Sequence, residues 1–236
     1  PRGVTVVNLA PADIRKEGSA LDLPIALGLL AASEQIGEGR ISEYSVVGEL
    51  ALNGMVRPVA GVLPMTTAAR DQKLRGIIVP TANAREAGVV PGIEVIPVQT
   101  LSEAAAFMAG FTDIAPFVTD VDSMFRDGRG QVPDLNEVKG QAHVKRAVTI
   151  AAAGGHNLLM VGPPGTGKTM LASRLPGILP DMTFEEALET TRVYSVAGAL
   201  GDGKQLVVQR PFRAPHHTAT TVAISGGGHG QRPMPG

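Results

Sequence analysis

Cysteine is absent from the 236 residues, which excludes disulfides and thiolate-held metals. That suits a reducing compartment, so a cytoplasmic location is expected. Tryptophan is absent too, and aromatics make up only 3% of the chain, so any core must be built from Ala, Val, Leu and Ile. Nor is there an excess of charge: 21 Lys and Arg stand against 22 Asp and Glu, a formal charge of −1. No global attraction to nucleic acid or an anionic membrane follows, and only a local basic patch would provide one. No apolar run approaches the roughly 20 residues of a bilayer span, so no membrane partner is expected. The chain opens at Pro1 without a Met or a signal-like start. Both ends therefore read as cut from something longer.

What is present is a folding chain. With 44% apolar and 18% charged residues it has too much hydrophobic material for disorder. Its length suits one large domain or two ordinary ones. The most informative stretch is Gly162-Pro163-Pro164-Gly165-Thr166-Gly167-Lys168-Thr169. It follows the apolar run Leu158-Leu159-Met160-Val161 and precedes the helix-compatible Met170 to Leu175. Strand, glycine-rich loop and helix in that order, with that spacing, make a P-loop. Glycines let successive backbone N–H groups turn inward as a cradle for phosphate oxygens. The helix start adds unpaired N–H groups and the positive end of its dipole. Lys168 is placed to reach the β- and γ-phosphates, and the Thr169 hydroxyl to ligate Mg²⁺. The bland alternative, a glycine-proline turn joining strand to helix, leaves every filled motif position to coincidence. ATP and Mg²⁺ are the expected ligands.

Upstream, strands and helices intermingle over residues 1–110, as in an α+β domain. Ser19 is placed to cap an all-round apolar, buried helix from Leu21 to Ala32, with Pro24 in its first turn. Ser45 to Leu52 and Met55 to Val59 flank Asn53-Gly54, a strong hairpin signal. A helix from Val62 to Leu74, a buried strand at Gly76 to Pro80, a small helix around Ala82 to Ala87, a strand at Ile93 to Pro97 and a helix at Leu101 to Met108 complete the unit. The hairpin Val47 to Gly54 with the loop Val56 to Gly61, and Glu17-Gly18-Ser19-Ala20, resemble Lon-type protease domains. Such a protease needs a Ser nucleophile and a Lys base. Aligned on this resemblance, the nucleophile position falls on Ala20 and the lysine position near Leu63. The resemblance implies a Lon-like (S5-like) shape without hydrolytic chemistry.

Residues 111–133 show no sustained period and read as a linker. In 134–236, Val138-Lys139-Gly140-Gln141 precedes a helix from Ala142 to Ala153 and then the P-loop. Thr183-Phe184-Glu185-Glu186 reads as a capping box, which explains the two acids without a metal. The loop Arg210-Pro211-Phe212-Arg213-Ala214-Pro215-His216-His217-Thr218 is rich in donors suited to phosphate oxygens. Adjacent His216 and His217 lack a third ligand at metal-type spacing.

The Arg210–Thr218 loop following this P-loop closely resembles the ComM/YifB family, in the magnesium-chelatase-like branch of AAA+ ATPases. The resemblance runs over essentially the whole chain. It implies an α/β protein in which an N-terminal α+β Lon-protease-like domain is followed by a partial P-loop AAA+ domain. It also implies a hexameric ATPase and helicase acting on branched or single-stranded DNA, as in the branch migration of natural transformation. Placement ahead of the P-loop makes Val138 and Gly140 candidates for adenine contact, and Arg210, Arg213, His216 and His217 candidates for DNA contact.

One part of the chemistry is missing. ATP hydrolysis on a P-loop needs an acidic pair at the end of a second core strand. No apolar run after Thr169 ends in two acids; Leu206-Val207-Val208 leads to Gln209 and Arg210. By the resemblance that strand is due beyond Gly236, so this chain alone is expected to turn over little ATP. Two other functions stay open, a chelatase-type remodeller of a protein partner and an inactive ATP-binding fragment.

Overall fold

The computed structural model describes residues 6–7, 19–37, 39–128, 132–200, 205–215 and 218–219. Its contacts fall into two units. One holds the described residues up to Thr119, those of Thr190–Gln205, and Thr218 and Ala219; the other holds those of Asp120–Glu189 and Leu206–His217.

The first unit carries helices α1 (Asp22–Ala32), α2 (Val62–Asp71), α3 (Ala84–Ala87) and α4 (Leu101–Met108). Its strands are β1 (Tyr44–Val46), β2 (Glu49–Leu50), β3 (Val56–Arg57), β4 (Gly76–Pro80) and β5 (Glu94–Val98). β4 lies between β1 and β5, parallel to both, with Tyr44 opposite Gly76 and Gly76 opposite Glu94. Ile78 packs with Leu23 and Leu27 of α1 and with Phe107 and Met108 of α4. Ile77 and Val79 pack on the opposite face with Val62 of α2 and Ala84 and Ala87 of α3. A parallel strand covered on both faces reads as an unbroken apolar run, which is why all five residues of β4 are buried.

Tyr44 fixes one edge of this sheet. Its ring meets Phe107 edge-on at 5.1 Å, and its hydroxyl donates to the Glu94 carboxylate at 2.6 Å. Burial, then the Glu94 carboxylate, pushes its pKa up to about 12. Gly76 is required there, because a Cβ would lie 2.5 Å from the Tyr44 ring.

The hairpin forms at Asn53-Gly54, with Gly54 left-handed at φ 81° and Ala51 N–H donating to Met55 C=O at 2.9 Å. The single strand expected from Ser45 to Leu52 is instead two. The chain breaks after Val46, so that β1 joins β4 while β2 pairs antiparallel with β3. Ser19 is not the cap of α1. Leu21 holds that position without a side-chain cap, while the Ser19 hydroxyl donates to Glu49 of β2. The Leu23 N–H instead finds the Gly48 carbonyl at 3.0 Å, so the hairpin backbone satisfies the helix start. α1 is also less buried than its composition suggests. Only Leu23 and Leu27 are fully covered, because a helix packs on a sheet by one face. α2 stops at Asp71, where Lys73 at φ 60° closes it through an N–H bond to Arg70 C=O.

The second unit contains α5 (Val121–Gly128), α6 (Ala142–Gly154), α7 (Lys168–Ala172) and the start of α8 (Phe184–Val196). The stretch expected to be a linker holds a helix, α5. Asp120 accepts from the Ser123 N–H at 3.0 Å, and Val121, Met124 and Phe125 supply an i, i+3, i+4 face. The strand expected at Leu158 to Val161 does not form: no described residue of this unit pairs with it, and Leu159 and Val161 are 86% and 88% exposed. A strand exists only by pairing, and apolar composition alone does not supply the ladder. α7 is short because Pro176 opens a 3₁₀ turn, Leu175–Ile178, in place of a further α turn. Among the described residues no helix is long and apolar enough to cross a membrane.

At the positions aligned with the Lon nucleophile and base, the chain has Ala20 and Leu63. Leu63 is fully buried, and its N–H donates to the Glu86 carboxylate at 3.0 Å. Neither side chain can attack a carbonyl or take a proton.

Candidate phosphate-binding site

The glycine-rich loop turns at two left-handed residues, Gly165 at φ 81° and Gly167 at φ 82°. A Cβ at Gly167 would be strained there and would stand 3.4 Å from the Met170 methyl. Gly165 is exposed, with open space where a side chain would project. Pro163 and Pro164 are exposed, and Thr166 donates its hydroxyl to the Pro163 carbonyl at 2.9 Å.

The Lys168 ammonium folds back onto its own loop. It donates to the Gly162 carbonyl at 2.7 Å and the Pro163 carbonyl at 2.8 Å, with Thr166 Oγ1 at 3.4 Å. These neutral acceptors are weaker partners for a cation than phosphate oxygens. Thr169, the next residue, is exposed. No group of three or more His, Cys, Asp or Glu suited to a metal occurs among the described residues. Thr169 is a side chain that could hold Mg²⁺ together with a polyphosphate. The left-handed glycines, the lysine and the exposed hydroxyl fit that pair of ligands.

The segment before α6 is clamped to this loop and to α7. Leu135 and Val138 pack on Leu171 of α7, and Val138 is 2% exposed. Its side chain is thereby committed to the core, which leaves the backbone of 138–140 for a base. Gly140 is exposed and left-handed at φ 68°. Glu137 pairs with Arg174 at 2.7 Å, and the Gln141 amide donates to the Thr166 carbonyl at 3.2 Å. A Cβ at Gly177 would meet the Pro133 carbonyl at 2.6 Å, so close backbone approach requires that glycine. Two segments that carry candidate ligand contacts are therefore packed as one body.

The structure distributes the basic loop differently. Arg210 donates to the Pro180 carbonyl at 2.9 Å and to Glu186 at 3.0 Å, so its guanidinium is committed within the unit. It also lines a cavity of about 180 Å³ with Phe125, Asp134, Met182 and Val208. Arg213 is exposed, while His216 and His217 lie outside the described residues. Glu186 is the far end of the expected capping box: its N–H donates to Thr183 Oγ1 at 3.2 Å, and its carboxylate accepts from the Thr183 N–H at 3.0 Å. That backbone N–H first, and then Arg210, hold its carboxyl below the ordinary range. Sequence reasoning missed Gln141 and Glu137; a polar residue directly beside the candidate base-contact segment was the available signal.

Comparison with known proteins covers both units. A family model described as magnesium chelatase, subunit ChlI, matches residues 134–236, and a second, described as subunit ChlI of Mg-chelatase, matches residues 1–83. The chain is 48% identical over 225 residues to competence protein ComM of Haemophilus influenzae, covering 94% of this chain and 43% of that protein. It is 47% identical over 229 residues to YifB of Escherichia coli, covering 97% of this chain and 44% of that one. Lon protease 2 of Bacillus subtilis is 31% identical over 94 residues, 39% of this chain and 17% of its own length. The chain thus spans under half the length of the ComM and YifB proteins it matches. A Lon-like unit, a glycine-rich loop and alignment to these relatives over nearly the whole chain lead to one assignment: the chain belongs to the ComM/YifB family of magnesium-chelatase-like AAA+ proteins.

Proposed function

We propose that this chain binds ATP with Mg²⁺ as the nucleotide-binding part of an AAA+ motor that acts on DNA. The observation that carries the reading is the loop Gly162–Thr169, with two left-handed glycines and an ammonium that, among the described residues, is held by its own loop carbonyls and a threonine hydroxyl. Phosphate oxygens would take Lys168 from those neutral acceptors in exchange for charge-assisted bonds. Gly165, Thr166, Gly167 and Lys168 would offer backbone N–H groups, and Thr169 would ligate the ion. Val138 and Gly140 would present backbone atoms to the adenine. Turnover by this chain alone would be slow, since no apolar run after Thr169 ends in the acidic pair that orients water.

The DNA part of the proposal rests on family membership and on exposed Arg213, with His216 and His217 beside it in sequence. A hexameric ring in the cytoplasm, driving branch migration, is the whole-protein activity it implies. The magnesium-chelatase description of the matching family favours a second reading, ATP-driven remodelling of a protein partner.

Titration calorimetry with ATP and Mg²⁺ tests the first claim. Lys168→Ala should weaken binding by more than about tenfold, the worth of a charge-assisted hydrogen bond. Uptake that is absent, or indifferent to the lysine, sinks the nucleotide reading. For the second claim, the longer protein should bind branched DNA with an affinity that falls steeply as salt rises. Undetectable binding at low salt would move the remodeller ahead.

A further inference from the structure

Three non-glycine residues among those described have positive φ: Glu34, Lys73 and Gln141. Two are explained by helix endings. Glu34 and Lys73 follow α1 and α2 and close them through N–H bonds to Ala31 and Arg70 carbonyls. Gln141 has no such reason. It stands at the start of α6, at φ 51° and ψ 43°, where a capping residue ordinarily takes the extended region and lends a side-chain oxygen to the helix. It caps nothing by its side chain. Instead its amide crosses 25 residues of sequence to donate to the Thr166 carbonyl, in the middle of the phosphate loop.

From this we infer that Gln141 is a positioning residue for nucleotide binding, kept in a costly backbone conformation because that conformation aims its amide at the loop. The inference rests on the nucleotide reading above. Its geometry is that of a single peptide unit. In a planar trans peptide the carbonyl of Thr166 and the N–H of Gly167 point in opposite directions. Pinning the carbonyl toward Gln141 therefore turns the Gly167 N–H away from Gln141. The Gly167 carbonyl is already held by the Leu171 N–H at 3.0 Å, so the freedom left in this turn is that of the peptide between Thr166 and Gly167, where the Gln141 amide bonds. Gln141 removes the freedom before a ligand arrives, and preorganisation of this kind raises affinity by reducing what must be ordered on binding.

A backbone strained for a purpose has a diagnostic signature: relieving it should stabilise the fold and weaken the function. Gln141→Gly relieves the left-handed strain and removes the tether. In the full 236-residue chain it should unfold at an equal or higher temperature, yet bind Mg·ATP about fivefold more weakly, the loss of one hydrogen bond. Gln141→Ala keeps the strain and removes the tether, so it should lose the same affinity and some stability. Hydrogen exchange at the amides of Thr166 to Lys168 should quicken in both variants without nucleotide present.

Affinity unchanged in Gln141→Gly, with Lys168-dependent binding in the parent, overturns the inference and leaves the nucleotide reading standing. Loop exchange unchanged in both variants overturns the tether itself. A parent chain that takes up no nucleotide overturns both. A purely structural Gln141 would show stability and affinity falling together in Gln141→Gly, which also overturns the proposal.

Discussion

Gly76–Pro80 and Leu158–Val161 are short apolar runs of similar composition with opposite outcomes. The first is a central strand, paired on both sides and buried at every residue. The second has no strand partner among the described residues, and the large side chains of Leu159 and Val161 face solvent. Hydropathy does not separate them. Partners do: β1 and β5 supply both ladders of β4, and four helices supply its two covers. An apolar run is a strand in waiting, and the neighbouring backbone decides whether it becomes one.

The sharpest way to break this comparison is to truncate one side chain from each run. Ile78→Ala empties a fully buried site between α1 and α4 and should destabilise the first unit by roughly 2–5 kcal/mol. Leu159→Ala removes a side chain that touches little, and its effect should stay within about 0.5 kcal/mol. Denaturant unfolding measures both. Equal losses would mean that Leu159 is packed in solution, and the contrast would fail.

What could be read from the chain divides along the same line. Features set by near neighbours were legible. Asn53-Gly54 placed the hairpin, and the expected helix 101–108 is the observed α4, with Thr100 as its cap. Thr183 and Glu186, three residues apart, made their capping box. The turns at Gly165 and Gly167 belong to this class. Features set across distance were not legible. Ser19 serves Glu49, 30 residues away, rather than the helix beside it. Nothing near Ser45 in sequence announces that β1 pairs with β4, so the break after Val46 has no local signal. Gln141 carries no mark of a left-handed residue, and its reason lies at Thr166. The helix α5 is the exception: its Asp120 cap and apolar face were local and were missed.

The two units also differ in how they use carboxylates. Glu86 in the first unit accepts from the Leu63 N–H, from Asn83 Nδ2 at 3.3 Å and from the Ser195 hydroxyl. Leu63 and Asn83 are buried, so removing the carboxylate leaves donors that water reaches poorly. Glu86→Ala should cost about 1–3 kcal/mol, the penalty of stranded buried donors, with Glu86→Gln closer to the parent because an acceptor oxygen remains. Thermal unfolding of the two variants against the parent decides this. A Glu86→Ala variant as stable as the parent would show that the donors find water, and that the first unit is no better sealed than the second.

Glu186 is the counterpart in the second unit, and its effect should be the smallest. Its carboxylate is fixed by the Thr183 N–H and by Arg210 on an open surface, and its pKa is lowered by them in that order. A carboxyl with a folded pKa below its unfolded value prefers to be charged in the fold. Its contribution is therefore complete above the unfolded pKa, and it is lost as pH falls through the lowered folded value. Glu186→Gln keeps an oxygen for the Thr183 N–H but has no charge to lose. Parent and variant should thus differ near neutral pH and converge in acid, with the parent more stable at the higher pH. Unfolding midpoints across that range give the answer. A gap that stays constant or widens in acid would mean that the charge on Glu186 does not hold Arg210 against the start of α8, and the surface carboxylate would then be as inert as the exposed run at Leu159.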